Sequence, residues 1–572
     1  MKYTLLLQPF FARHWPVYLL GVVVLIGVDL LQLLIPWLVG KTVDSFIQKG
    51  PFMHYLWQIL LVAGLIAMFR YVYRECIMGT TRRLEFYLRD RLFSHALRIP
   101  LHIYDTQGPG KIMALTTNDI SAVRITVGLG IILLVDAVIM GLASFAVMAR
   151  TINWQLSVWA IIPLLPVILA ATLMGKTVHE RFRGVQEKFS ELTEFAQEAF
   201  AGAKVIKGFA AERIWLDRFA GISAANVSAN LSMARLQAAY VPVTHILPLL
   251  SYAVTLYIGG TLIMEGSISI GDFAAFIGYL GLILWPVMGV GYLINTIQRG
   301  TASLKRLGEF VDTPEYEDDS KEQTVMLQQP IVIQALTFAY PGSDTPSLKD
   351  VNVTIPFGAR VGIVGRPGSG KSTLLKLLLR LYDPPVGAIR IGSREIHDIE
   401  FAGLRQAIGY VPQEGTLFSK TIGENIAFNG SYDREQIVAA AKMAAVDEDI
   451  DGKPEGYSTV LGEKGKSLSG GQQQRVAVAR ALIKEPDILL LDDVFSALDY
   501  RTQARVLSNI NNYLKKRTAI IVSQRIAAVK DADIILVFEQ GTIVEQGTHT
   551  ELVGRKGLYF RLYEQQLVDG EE

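Results

Sequence analysis

Up to about residue 300 the chain returns again and again to apolar stretches long enough to cross a bilayer, near 16–39, 55–78, 127–149, 154–175, 241–264 and 271–297. No other feature restricts the first half as strongly. Hydrocarbon offers no water to backbone N–H and C=O groups, so each stretch must pair them internally, as a helix does. Half of the 572 residues are apolar, too many for an ordinary water-soluble protein of this size. Residues 150–153 make a short turn between the third and fourth stretches. Residues 80–125 and 176–240 make long polar segments on the other side. The first long segment carries Arg82, Arg83, Arg89, Arg91, Arg98, Lys111 and Arg124. The second carries Lys176, Arg181, Arg183, Lys188, Lys204, Lys207, Arg213, Arg218 and Arg235. The opposite loops hold only Lys41, Lys49 and Arg150. The positive-inside rule then puts both termini and both long segments in the cytoplasm.

The long segments keep a helical period. Leu84, Tyr87, Leu88, Arg91, Leu92 and His95 continue the second stretch without a breaker, and turns come at Pro100 and at Gly108-Pro109-Gly110. These segments read as helices projecting from the membrane, with tips near 105–113 and 206–214. Leu5, Leu6, Phe10, Phe11 and Trp15 suggest an amphipathic helix lying at the membrane surface, the alternative being a frayed cytosolic lead-in. Asp29, Gln32, Asp136 and His245 fall inside spans, where ionisable groups are costly and often functional; a cationic ligand or a proton would be the natural partner of the carboxylates. Asp272 reads as the cap of the sixth span. The formal charge of +1 gives no ground for nucleic-acid binding, and the single cysteine, Cys76, excludes an intrachain disulfide.

The composition changes after residue 311, where the acidic, proline-containing run 311–320 suits a linker. From Ile331 short apolar runs alternate with helical patterns, the signature of an α/β domain. Within it, Gly365-Arg366-Pro367-Gly368-Ser369-Gly370-Lys371-Ser372 is a G-x-x-x-x-G-K-S phosphate loop. It follows the apolar run 360–364 and opens a helix at Thr373. The glycines let backbone N–H groups converge on phosphate oxygens, and the helix N-terminus adds its positive dipole end. Lys371 would reach the β- and γ-phosphates and Ser372 would bind Mg²⁺. A buried strand, Ile488 to Leu491, ends in Asp492, a second Mg²⁺ ligand by the same logic. Ser469, Gly470, Gly471 and Gln472 open another helix and make a second anion-facing element.

The order phosphate loop, Gln413, Leu468-Ser469-Gly470-Gly471-Gln472, Asp492, then Ser496-Ala497-Leu498-Asp499 resembles the ATPase domain of ABC transporters. Six spans fused ahead of it resemble an exporter-type half-transporter, and the run from Glu198 to Lys207 is similar to a cytoplasmic loop of such exporters. The resemblance covers essentially the whole chain. It implies an all-α six-helix transmembrane domain with long cytoplasmic extensions over 1–310, a linker over 311–330, and an α/β P-loop ATPase domain over 331–572. It implies ATP and Mg²⁺ as cofactors. Tyr340 would stack on adenine, Gln413 would contact Mg²⁺ or the attacking water, and Asp499 would reach across a dimer. Each ATP would lie between the phosphate loop of one chain and the Ser-Gly-Gly-Gln element of another.

Two positions depart from the family pattern. Hydrolytic members carry Glu after the strand-end Asp; here it is Asp493. They carry His at a later switch position; here it is Gln524. Asp is one CH₂ shorter, and a base that cannot reach the water forfeits roughly 10²–10⁴-fold in rate. Gln hydrogen-bonds but carries neither charge nor proton at that step. The expectation is a multi-pass protein of the cytoplasmic membrane that exports small amphipathic compounds, drugs or lipids. Its own ATP site binds but hydrolyses poorly, and its intact signature completes the active site of a second half-transporter. Two alternatives are a homodimeric lipid or peptide exporter and an ATP-gated regulatory or channel-like subunit.

Overall fold

The computed structural model describes residues 6–568 apart from 317–326, 429, 463–464, 466 and 515–516. The side chains of 167–176, 179, 240–241, 243–245, 285, 287–288 and 568 are also outside the description. The chain forms two compact units. One comprises Met1–Leu97 with Pro109–Thr313, the other Arg98–Gly108 with Pro314–Glu572.

The first unit is helical. Among the described residues five helices are long and apolar enough to cross a membrane: Gln8–Ile47, Met53–Ala96, Leu101–Thr151, Ile246–Met264 and Ile270–Val311. A shorter apolar helix, Trp154–Leu164, opens the fourth expected span, whose continuation over 167–176 has its side chains outside the described residues. Asn153 caps it, its Oδ1 accepting from Leu156 N at 2.9 Å. Phe10, Phe11 and Trp15 of the expected surface helix are helical and belong to the first spanning helix, while Leu5 lies outside the described residues. Gln8–Ile47 is one continuous 40-residue helix that runs through Pro16; Pro9 sits at the helix start, where its missing N–H has no intrahelical partner, whereas Pro16 lies inside the helix and gives up one intrahelical hydrogen bond without ending it. Phe10 is buried in it.

Both expected tips are breaks between helices. Gly108 has φ +71°, which splits Leu101–Ala114 into two short helices, and a bend over 209–211 separates Ala203–Gly208 from the 53-residue helix Glu212–Met264. The last membrane helix starts at a capping box. Ser269, not Asp272, is the N-cap, and Asp272 is its N3 partner, each side chain accepting from the other's backbone N–H. Asp44 of the first helix joins this cap. Its carboxylate accepts from Ser269 Oγ at 2.7 Å and from Gly271 N at 2.8 Å.

In the second unit the apolar runs become, among the described residues, ten strands: β1 Ile331–Phe338, β2 Leu348–Ile355, β3 Arg360–Gly365, β4 Ile389–Ile391, β5 Arg394–Glu395, β6 Ile408–Val411, β7 Ile488–Asp492, β8 Thr518–Val522, β9 Ile534–Glu539 and β10 Thr542–Gly547. They form an antiparallel sheet, β2-β1-β4-β5, and a six-stranded sheet, β10-β9-β3-β8-β7-β6, parallel except for β10. The parallel strands are apolar except at their ends, because both faces are covered. Ile488 and Leu490 enter one core cluster, Leu489 and Leu491 the other, the two-residue alternation of a strand. This sheet fixes the site, because the phosphate loop, Asp492, Asp493 and Gln524 all lie at or just beyond the C-terminal ends of β3, β7 and β8. Ligands of open α/β sheets bind at that edge.

Candidate functional site

The chain leaves β3 at Gly365 and enters the helix Lys371–Leu378 through a loop that tolerates no side chain at two points. A Cβ on Gly365 would lie 2.3 Å from the Phe538 carbonyl oxygen. One on Gly370, whose φ is +97°, would lie 2.5 Å from that of Ser347. Backbone therefore lines the cradle. Ser369 Oγ, the carbonyl of Gly365 and the carbonyl of Arg366 accept from Lys371 Nζ at 3.3, 2.8 and 2.8 Å. Burial pushes the Lys371 ammonium below its usual range, and the charges of Asp493 and Asp492 push it back up. Gly368 and Pro367 form the turn, and Thr373 Oγ1 lies 3.1 Å from the Tyr340 hydroxyl. Lys376 Nζ sits 5.5 Å from the centre of the Tyr340 ring, close enough for a cation–π contact.

Ser372 and Asp492 meet. The serine Oγ donates to Asp492 Oδ1 at 2.8 Å. Two such oxygens side by side are the donor set a hard divalent cation takes. Burial raises the Asp492 carboxyl above its ordinary range, and the Ser372 hydrogen bond lowers it.

Asp493 follows with φ +49°, a left-handed conformation uncommon for a residue with a side chain. Its N–H donates to the Val522 carbonyl at 2.9 Å, which ties the end of β7 to that of β8. Its carboxylate faces Gln524. Oδ1 accepts from the Gln524 backbone N–H and Oδ2 from Gln524 Nε2, each at 3.3 Å. Burial raises the Asp493 carboxyl, and the Gln524 N–H opposes that rise. The two residues that depart from the family pattern are thus bonded to each other.

Gln413 is exposed in the loop after β6, and its carbonyl accepts from Gln474 Nε2 at 3.4 Å. Ser469 is the N-cap of the helix Gly470–Leu482 and forms a capping box with Gln472. Gln472 Nε2 also donates to Asp449 at 2.8 Å, and Asp449 pairs with Arg475 at 2.7 Å. The Ser-Gly-Gly-Gln element is therefore built around its own helix start, with no hydrogen bond to the phosphate loop among the described residues. Asp499 is the N-cap of Tyr500–Tyr513, accepting from Thr502 N at 2.9 Å.

Two contacts escaped the sequence reading. Gln566 of the C-terminal helix Leu558–Val568 donates from Nε2 to the Gln524 carbonyl at 2.7 Å and accepts the Ile526 N–H at 2.8 Å. Some forty residues separate the partners, and nothing in the local pattern marks that glutamine. Asp105, within the first expected tip, accepts a hydrogen bond from the Tyr382 hydroxyl; the sequence located the tip but not its partner.

Apolar spanning helices joined to an α/β unit with a phosphate loop at the C-terminal edge of a parallel sheet define a membrane transporter with a P-loop ATPase. Residues 18–287 match the ABC transporter transmembrane region family, and residues 348–496 match the ABC transporter family. The chain is 36% identical to the probable multidrug resistance ABC transporter ATP-binding/permease protein YheI of Bacillus subtilis, over 98% of this chain and 97% of that one. It is 30% identical to the ATP-dependent lipid A-core flippase of Photobacterium profundum, over 92% and 89%. A solved bacterial Atm1-family ABC exporter with ATP bound superposes with a TM-score of 0.77 at 26% identity, covering 96% of this chain and 98% of that one. The protein belongs to the ABC transporter family and is an ABC exporter.

Proposed function

We propose that the chain is one half of an ATP-driven exporter of amphipathic compounds in the cytoplasmic membrane, and that its own ATP site is catalytically weak. Its relatives are named as a multidrug transporter and a lipid flippase, which supports an amphipathic cargo. The termini and the ATPase domain would be cytoplasmic, from the Lys and Arg bias of the long segments. Domain limits near 310 and 331 go with this reading.

ATP fits the cradle. Gly365, Arg366, Pro367, Gly368, Ser369 and Gly370 would wrap the phosphates, Lys371 would supply charge, Thr373 would lie at the helix start, and Tyr340 would take the adenine. Ser372, Asp492 and Gln413 would hold Mg²⁺, which when bound offsets phosphate charge.

One observation carries the assignment of weak hydrolysis: Asp493 and Gln524 bond to each other at 3.3 Å through both carboxylate oxygens. A general base must lie within hydrogen-bond reach of the water it deprotonates. Asp493 is short, and both of its oxygens are turned toward Gln524. The intact capping box at Ser469–Gln472 supports the complementary half, completion of a partner's site. Two weak sites would leave a homodimer without a good one, so the partner is read as a second half-transporter bearing Glu and His at these positions.

The test is ATP-dependent movement of a lipophilic dye in inside-out vesicles that contain this chain alone or with such a partner. Transport should need both chains. Equal transport by this chain alone would overturn the heterodimer.

A further inference from the structure

We propose that Gln566, on the C-terminal helix Leu558–Val568, is a positioning residue that latches the loop 524–526 so that Gln524 stays on Asp493; the proposal rests on the reading of this chain's ATP site as weak and names what keeps it so. The helix begins in the core of the domain. Leu558 and Tyr559 are buried in the cluster that also holds Ile526, Ala528 and Val529, just beyond β8. Leu562 and Tyr563 pack against the same cluster, and spacings of three and four residues carry that helix face on to Gln566. Polar contacts tie down the same end. Glu545 accepts from the Tyr559 N–H at 3.2 Å, and His549 Nδ1 lies 2.7 Å from the Tyr559 hydroxyl. An anchored helix therefore delivers Gln566 to the loop.

Both ends of the Gln566 amide engage one short piece of backbone. Nε2 donates to the Gln524 carbonyl at 2.7 Å, and Oε1 accepts from the Ile526 N–H at 2.8 Å. Gln524 is thus held from two sides, since its own N–H and Nε2 donate to Asp493 at 3.3 Å each. Arg525, between the two residues that Gln566 holds, fixes the loop in a third direction. Its guanidinium donates to the carbonyls of Leu498 at 2.7 Å and Ser496 at 3.2 Å. The bond lengths rank these contacts. The pair on Gln566 is short, and the pair on Asp493 lies just beyond the usual range. The short pair sets where the loop lies, and the long pair follows from it. Without Gln566 the Gln524 peptide loses the anchor on its carbonyl, the loop shifts off Asp493, and a carboxylate oxygen is released toward the water.

Two variants separate the two bonds. Gln566→Met keeps the reach of the side chain and loses both; Gln566→Glu keeps the acceptor for Ile526 but cannot donate to the Gln524 carbonyl. Amide exchange of the full-length chain in nanodiscs, without nucleotide, reads the latch. The Gln524 N–H should exchange about threefold to tenfold faster in either variant, with the phosphate loop unchanged. Single-turnover ATP hydrolysis is then measured with a half-transporter whose own phosphate-loop lysine is replaced by alanine, so that only the ATP held by Lys371 turns over. Both variants should raise that rate about threefold to tenfold and leave ATP affinity within about twofold of wild type. In a Gln524→Ala background the gain should shrink below about twofold, because the amide being positioned is gone. Unchanged exchange at Gln524, an unchanged or lower hydrolysis rate, or an equal gain in the Gln524→Ala background overturns the proposal. So does a loss of ATP affinity as large as the rate change, since Gln566 would then only stabilise the domain. A fast wild-type rate in the same assay would sink the weak-site reading instead, and the nucleotide-free exchange would still report on the latch.

Discussion

Each unit buries a pair of carboxylates, and the pairs are treated in opposite ways. Asp492 and Asp493 are adjacent in sequence, and their oxygens accept from Ser372 Oγ and from the backbone and side chain of Gln524. The fold supplies the donors. Asp29 and Asp136 come from different helices, and each keeps a buried oxygen without a donor. The contrast even occurs within one helix, since Asp44 lies about four turns beyond Asp29 and accepts from Ser269 and Gly271. The lesson is that a buried acid is informative according to what the fold leaves unmet. Where donors are built in, the carboxylate positions something; where they are not, the carboxyl oxygen is left unmet by the fold.

The largest effect should come from freeing Asp493. Asp493→Glu combined with Gln524→His lengthens the base and replaces the amide that its oxygens face, and should raise hydrolysis at this chain's own site by roughly 10²–10⁴-fold. Single-turnover ATP hydrolysis reads this; no gain with folding intact would break the comparison on the ATPase side. Next is Gly370→Ala, which forces a Cβ to 2.5 Å from the Ser347 carbonyl oxygen at φ +97°. It should reduce nucleotide affinity by about tenfold to a hundredfold through distortion of the loop, measured by fluorescent nucleotide titration. Asp44→Asn and Asp29→Asn should then diverge. The first loses charge-assisted bonds and costs about 1–3 kcal/mol. The second removes an unmet charge and should leave stability equal or higher. Thermal unfolding in the same detergent decides, and a comparable loss in both would remove the distinction between them. Smallest is Gln566→Ala, which costs about 1 kcal/mol and should speed amide exchange over 524–526 while sparing the phosphate loop.

Sequence and structure agree best where a local pattern carries its own geometry. The phosphate loop, the strand ending at Asp492 and the helix start at Ser469–Gln472 need only neighbours a few residues away, so their spacing made them legible. The spans were legible as apolar runs. Their ends were not, because the helix from Gln8 passes through Pro16 without stopping and Ser269 took the capping role assigned to Asp272. Hidden altogether were contacts set by tertiary structure: Gln566 on the loop that bears Gln524, Tyr382 on Asp105, and Asp44 on the start of the last membrane helix. The mutual bond of Asp493 and Gln524 lies between these extremes. Both substitutions were visible as departures, but only the parallel pairing of β7 and β8 brings residues 31 positions apart into contact. Gln32 likewise fell inside the first span, while the side chain of His245 lies outside the described residues.

The claim that this chain's own site is catalytically weak is tested most directly by its ATPase rate alone in lipid nanodiscs, with Lys371→Ala as the control. The account predicts a rate near background that Lys371→Ala leaves unchanged, and turnover only when a half-transporter bearing Glu and His is added. A normal exporter rate from the chain alone, abolished by Lys371→Ala, would show that Asp493 and Gln524 are competent and would contradict it.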